Sequence, residues 1–182
     1  MSKNFQEPAA AGRRRAMKCL LWGGAGMMWT LAGGVPRALR LDGTARAAEV
    51  TGLRFAQISD SHIGFKAGGH PCAEDTLQEA VTRIAAARPD FVIHTGDVSH
   101  LATAGQFAAA ADIMRGARRE VFYVPGEHDT IGDSGKLFFQ RFGAARGTAP
   151  GGWYSFDSHG MHFIGLVNVV TLTATGLGSL GA

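Results

Sequence analysis

Across 182 residues, 46% of them hydrophobic, the chain has enough apolar surface for one domain with its own core and a leader segment besides. A formal net charge of +3 and a pI near 9.2 would suit a nucleic-acid ligand only if the cations lay on the folded domain. They do not: residues 1–47 carry eight Lys/Arg against two acids, a net +6, and residues 48–182 carry ten against thirteen, a net −3, so no nucleic-acid partner is expected.

The first segment reads as an export signal. Arg14-Arg15-Ala16-Met17-Lys18 follows a polar start and precedes the uncharged run CLLWGGAGMMWTLAGGV, and Ala45-Arg46-Ala47 then offers a small-residue cleavage site. The paired arginines and the glycine-rich, mildly apolar run resemble a twin-arginine signal. At 17 residues with five glycines the run is short and weakly apolar for a membrane anchor. The expected organisation is therefore a signal peptide over 1–47 and a domain over 48–182. The export machinery is an expected partner, the location is periplasmic or secreted, and the mature form has no stable membrane span. Without the leader, Cys72 is the one cysteine left, so no internal disulfide can form.

Residues 53–59 predict a short strand that ends at Asp60-Ser61-His62, followed by the glycine-rich loop GFKAGGHP. Residues 73–87 predict a helix, with Leu77, Val81, Ile84 and Ala85 on one face and acids in the first turn. Pro89-Asp90 stops it. Residues 91–97 form a nearly all-apolar run, as expected of a strand buried on both faces. A second helix is predicted over 103–117 with Thr103 as N-cap, a third buried strand over 120–126, and a short helix over 134–142. Residues 152–170 then alternate as an antiparallel hairpin turning at 157–160.

Alternating strands and helices imply an α/β fold with a parallel sheet and right-handed crossovers, whose ligands gather beyond the carboxyl ends of the strands. Three polar motifs fall there: Asp60-x-His62, Gly96-Asp97 and Gly126-Glu127-His128-Asp129.

In this order, at about thirty-residue intervals, these motifs resemble those of the calcineurin-like metallophosphoesterases over roughly residues 53–170. The resemblance implies an αββα sandwich of two mixed sheets around two divalent or mixed-valence metal ions (Mn, Fe, Zn or Co) and a phosphomono- or phosphodiester substrate. It implies Asp60, His62 and Asp97 on one metal, Asp97 bridging to the second, and Glu127 ligating the second. His128 resembles the family's general acid, with Asp129 expected to fix its tautomer. The chemistry suits the residue types: two cations about 3.5–4 Å apart need a bridging anion, and a short Asp supplies one.

Other histidines are less informative. His100 either reaches the site, as some relatives carry a ligand at that offset, or is a polar residue leading a helix. His94, inside a strand run, is expected to be a hydrogen-bonded core residue, and His159 and His162 to sit at a hairpin tip. Two departures from the family pattern stand out: Glu127 occupies a position where the family has Asn, and no downstream G-H-x-H motif precedes the end at GLGSLGA. The expectation is a chain cut about halfway through the domain, after the first sheet and one hairpin, and therefore prone to associate or to lack turnover. A second function class, a non-catalytic exported module that binds metal or a partner, follows from the same departure.

Overall fold

A computed structural model describes residues 27–32, 35–40, 52–66, 73–143 and 152–170. The pair Arg14-Arg15, the Ala45-Arg46-Ala47 site, the loop carrying His70 and Cys72, and the final GLGSLGA lie outside the described residues.

Strands β1 (Met27–Ala32), β2 (Val35–Arg40), β3 (Arg54–Ile58), β4 (Phe91–His94) and β5 (Val121–Tyr123) form one sheet in the order β2-β1-β3-β4-β5. The pairs β3–β4 and β4–β5 are parallel, with Ile58 opposite His94 and His94 opposite Tyr123. The parallel core follows the expected alternation of strand and helix. The pairing of β1 with β3 does not: residues of the uncharged leader run bond antiparallel to β3, Trp29 opposite Phe55. The leader reading rested on charge and apolarity, and the same apolar residues also suit a strand.

Helix α1 (Ala73–Ala87) buries Leu77, Val81 and Ile84 and carries Glu74 and Asp75 in its first turn, where the amide ends favour negative charge. It ends as Arg88 turns left-handed at φ 51° and Pro89 withholds an amide. Helix α2 (Ala104–Met114) starts where the Thr103 hydroxyl accepts the Gln106 amide, and it tightens into a 3-10 turn at Arg115–Ala117. A further helix, α3 (Lys136–Phe138), continues as a π turn over Phe139–Gly143.

Strand alternation sorts the side chains onto two faces. Ala56, Ile58 and Val92 meet the helices in a core with Val81, Ile84 and Phe107. Phe55, Phe91 and Phe122 face the other way, against the hairpin β6 (Tyr154–Ser158) and β7 (Met161–Gly165). There the Phe91 ring lies 5.2 Å from Phe55 and from Phe163, and Phe122 stacks on Phe156. The hairpin turns at His159-Gly160, within the expected span. Helices on one face and a second sheet on the other give the metallophosphoesterase-type layering that the motifs imply.

Candidate metal centre

The three motif loops leave β3, β4 and β5 at the same end of the sheet and stay bonded beyond it. The Asp60 amide donates to the Gly96 carbonyl at 3.0 Å, the His62 amide to the Asp97 carbonyl at 2.9 Å, and the Ile63 amide to the Val98 carbonyl at 3.0 Å. Within this extended ladder Asp60, His62 and Asp97 all take left-handed backbone angles, φ 58°, 42° and 51°. Such conformations cost of order 1 kcal/mol or more each for residues with a Cβ and persist where surrounding bonds over-determine them. The cost turns three donor side chains toward one point.

His62 Nε2 lies 3.5 Å from an Asp97 carboxylate oxygen and 3.9 Å from Asp60. Donor atoms of Asp60, His62 and Asp97 fall within 4.8 Å of one another, and so do those of Asp97, Glu127 and His128. Asp97 belongs to both groups. Burial raises its carboxyl above the ordinary value, opposed by the His128 amide that donates to it at 3.0 Å, while the Glu127 charge raises it further. Gly126 is required beside it, since a Cβ there would overlap the Asp97 carboxylate and amide.

His128 lies as the motif suggests, but its orientation has a different cause from the expected one. Its Nδ1 is 2.8 Å from the His100 carbonyl, which can only accept, so Nδ1 carries the proton and Nε2 is left for the site. Asp129, expected to hold that ring, is fully buried and bonded elsewhere. It accepts from the amides of Val98, Ser99 and Gly126 at 3.0, 2.8 and 3.1 Å and from the Ser99 hydroxyl at 2.9 Å. A carboxylate with four donors on it is spent on the loops; Asp129 holds the second and third motif loops together.

His100 joins the centre: donor atoms of His62, His100 and His128 also lie within 4.8 Å, with the His100 and His128 rings stacked at 4.9 Å. Desolvation, and then the neighbouring His128 and His62, lower its proton affinity. The Nδ1 atoms of His62 and His100 are buried without a hydrogen-bond partner, an arrangement that an ion or water would satisfy. Three imidazoles, the buried Asp97 and the exposed Asp60 and Glu127 make a mixed nitrogen–oxygen donor set suited to Mn, Fe, Zn or Co. The residues fit a metal.

His94 is the buried core histidine the sequence suggested, its pKa pushed down to about 4 by desolvation. His162 bonds Asp157 at 2.8 Å on the exposed hairpin, and neither it nor His159 is gathered into the three donor groups. Sequence reasoning missed Ser61 and Ser99. The first stands between two donors, and the second follows Asp97 by two residues; only the spacing inside the motifs could have marked them.

The family model for calcineurin-like phosphoesterases matches residues 53–178, a span that contains all three motif loops. No curated protein matches the chain.

Proposed function

The chain belongs to the calcineurin-like phosphoesterase family, and from that premise we propose that it is a metal-dependent hydrolase of phosphomono- or phosphodiesters. The observation that carries the reading is Asp97, among the described residues the one carboxylate common to two donor groups. Asp60, His62 and Asp97 would hold one cation, and Asp97 with Glu127 a second. When bound, the pair would lower the pKa of water and offset charge gathering on phosphorus.

The protein's own groups divide the remaining work. Asp97 is fixed by the His128 amide, so its carboxylate cannot swing away as charge arrives. His128, locked through Nδ1 on the His100 carbonyl, presents Nε2; in its protonated form it gives that proton to the leaving-group oxygen. Asp129 keeps the loops of Asp97 and His128 in register. Export followed by cleavage after Ala47 is part of the same proposal; it rests on Arg14-Arg15 and the charge asymmetry, and intact-mass analysis of periplasmic protein tests it. Among the described residues no helix is long and apolar enough to cross a membrane.

The test is calorimetric titration with Mn²⁺ alongside hydrolysis of a chromogenic phosphodiester and the matching monoester. Wild type should bind the ion, turnover of at least one ester marks the hydrolase, and Asp97→Ala should lose binding and any turnover with it, by about a hundredfold or more. Binding without turnover would instead identify an exported metal-binding module. Unchanged binding in Asp97→Ala would overturn the shared-ligand role.

A further inference from the structure

His94 and Ser61 belong to none of the donor groups, yet they join the two loops that supply the first one. His94 is fully buried at the end of β4. Its Nε2 lies 3.0 Å from the Ser61 hydroxyl, and its Nδ1 receives the Gly96 amide at 3.4 Å. The Ser61 hydroxyl in turn donates to the Val98 carbonyl at 3.0 Å.

The directions of these bonds are determined. An amide can only donate, so Nδ1 accepts; the neutral ring then carries its proton on Nε2 and donates it to Ser61. Ser61 accepts that proton and sends its own to Val98, so each atom is used in one sense and none is left over. The Tyr123 ring stacks on the imidazole at 5.8 Å and holds its plane.

The placement gives this relay its consequence. Ser61 stands between Asp60 and His62, while Gly96 and Val98 flank Asp97. One buried imidazole therefore grips the chain neighbours of all three donors, and those donors hold left-handed backbone that would relax if released. A buried imidazole is costly unless its nitrogens are hydrogen-bonded, and an aliphatic side chain could fill the same space without reaching Ser61.

We infer that His94, acting through Ser61, is a positioning residue for the first cation site: it fixes the turns that aim Asp60, His62 and Asp97 at one point. This rests on the reading that those three residues hold a cation. It adds a requirement of its own, namely that the Nε2–Ser61 bond sets the affinity.

The experiment compares Ser61→Ala, His94→Asn and His94→Gln in the full chain, with folding checked by circular dichroism and Mn²⁺ affinity measured by calorimetry. The Gln amide can reach Ser61 in place of Nε2, whereas Asn can replace only the Nδ1 acceptor. Ser61→Ala and His94→Asn should weaken Mn²⁺ binding about tenfold or more, the size expected when support behind a ligand is lost. His94→Gln should stay close to wild type, and the Ser61→Ala/His94→Asn double variant should be no weaker than either single one. Nitrogen-15 spectra of the wild type should show His94 protonated on Nε2.

Equal losses in Asn and Gln, fully additive losses, or an Nδ1-protonated His94 would overturn the inference. If the histidine variants do not fold, Ser61→Ala, which removes a single hydroxyl, decides alone: unchanged affinity sinks the proposal. A wild type that takes up no Mn²⁺ would instead bring down the cation reading beneath it, a result distinct from wild-type binding that the variants leave untouched.

Discussion

The loop end of the sheet and the aromatic layer on its flank each have a buried centre, but different forces hold them. Around Phe91 the contacts are ring against ring, with Phe55, Phe156 and Phe163 all within 5.3 Å between centroids. Around Asp97 the contacts are hydrogen bonds of fixed direction, several of them holding left-handed backbone. Packing tolerates small shifts because dispersion and burial are non-directional. A network of donors and acceptors does not, because each unpaired buried group costs its full desolvation. Damage in the aromatic layer should appear as lost stability alone, and damage around Asp97 as lost stability together with lost metal.

The sharpest way to break this comparison is Asp129→Ala. It strips acceptors from the amides of Val98, Ser99 and Gly126 in a fully buried place. The expected loss is about 3–5 kcal/mol by urea unfolding, with Mn²⁺ affinity falling as well. Retained metal affinity in a folded Asp129→Ala protein would show that the loops do not need their clasp. Phe91→Ala is the matched change in the aromatic layer. It should cost about 3 kcal/mol as a cavity forms, yet leave Mn²⁺ affinity within about twofold of wild type. A large metal defect there would merge the two regions into one.

Acidity separates them more finely. His94 has a folded pKa of about 4 against an ordinary 6.5, so between those values the unfolded chain binds the extra proton. Stability is whole above pH 6.5 and falls as pH drops toward 4, by up to about 3 kcal/mol from this residue. Asp97 works in the opposite sense, since its raised carboxyl takes up a proton more readily folded than unfolded. His94 alone should cost the metal-free protein about 2 kcal/mol between pH 7 and pH 4.5, read by urea unfolding, with Asp97 offsetting part of it. Phe91→Ala should keep that slope and His94→Gln should flatten it; an unchanged slope in His94→Gln would assign the acid sensitivity elsewhere.

The smallest effect on stability is expected at Glu127, which is exposed at the rim of the centre. Glu127→Asn should change unfolding by less than about 0.5 kcal/mol. It also removes a negative charge that would repel a dianionic monoester more than a monoanionic diester. The ratio of kcat/KM for monoester over diester should therefore rise while affinity for a second Mn²⁺ falls. If both stay constant, Glu127 points away from the chemistry.

Much of this was legible in the sequence because two periodicities carried it. The 73–87 helix agrees end for end with the structure, since Leu77, Val81 and Ile84 mark one face and Pro89 closes it. The strand runs were legible in place but not in length: residues 91–97 read as one apolar stretch, whereas β4 ends at His94. Beyond it the backbone leaves extended geometry to aim Asp97, and hydropathy does not encode φ. The donors themselves stood out by residue type and spacing. The role of Asp129 did not, because adjacency in sequence to His128 suggested contact, while the chain turns the two side chains to different partners. His100 was left open for the same reason; only the fold brings it beside His62 and His128.

The hairpin of β1 and β2 has one more consequence. β1 bonds β2 on one side and β3 on the other, so cleavage after Ala47 would carry both strands away together. The amides and carbonyls of β3 that face β1 would then line an open margin, a template onto which another chain can add a strand. Such a cleavage would thus expose an assembly surface that β1 covers in the intact chain. Light scattering of the two forms over a concentration series should show stronger self-association after cleavage.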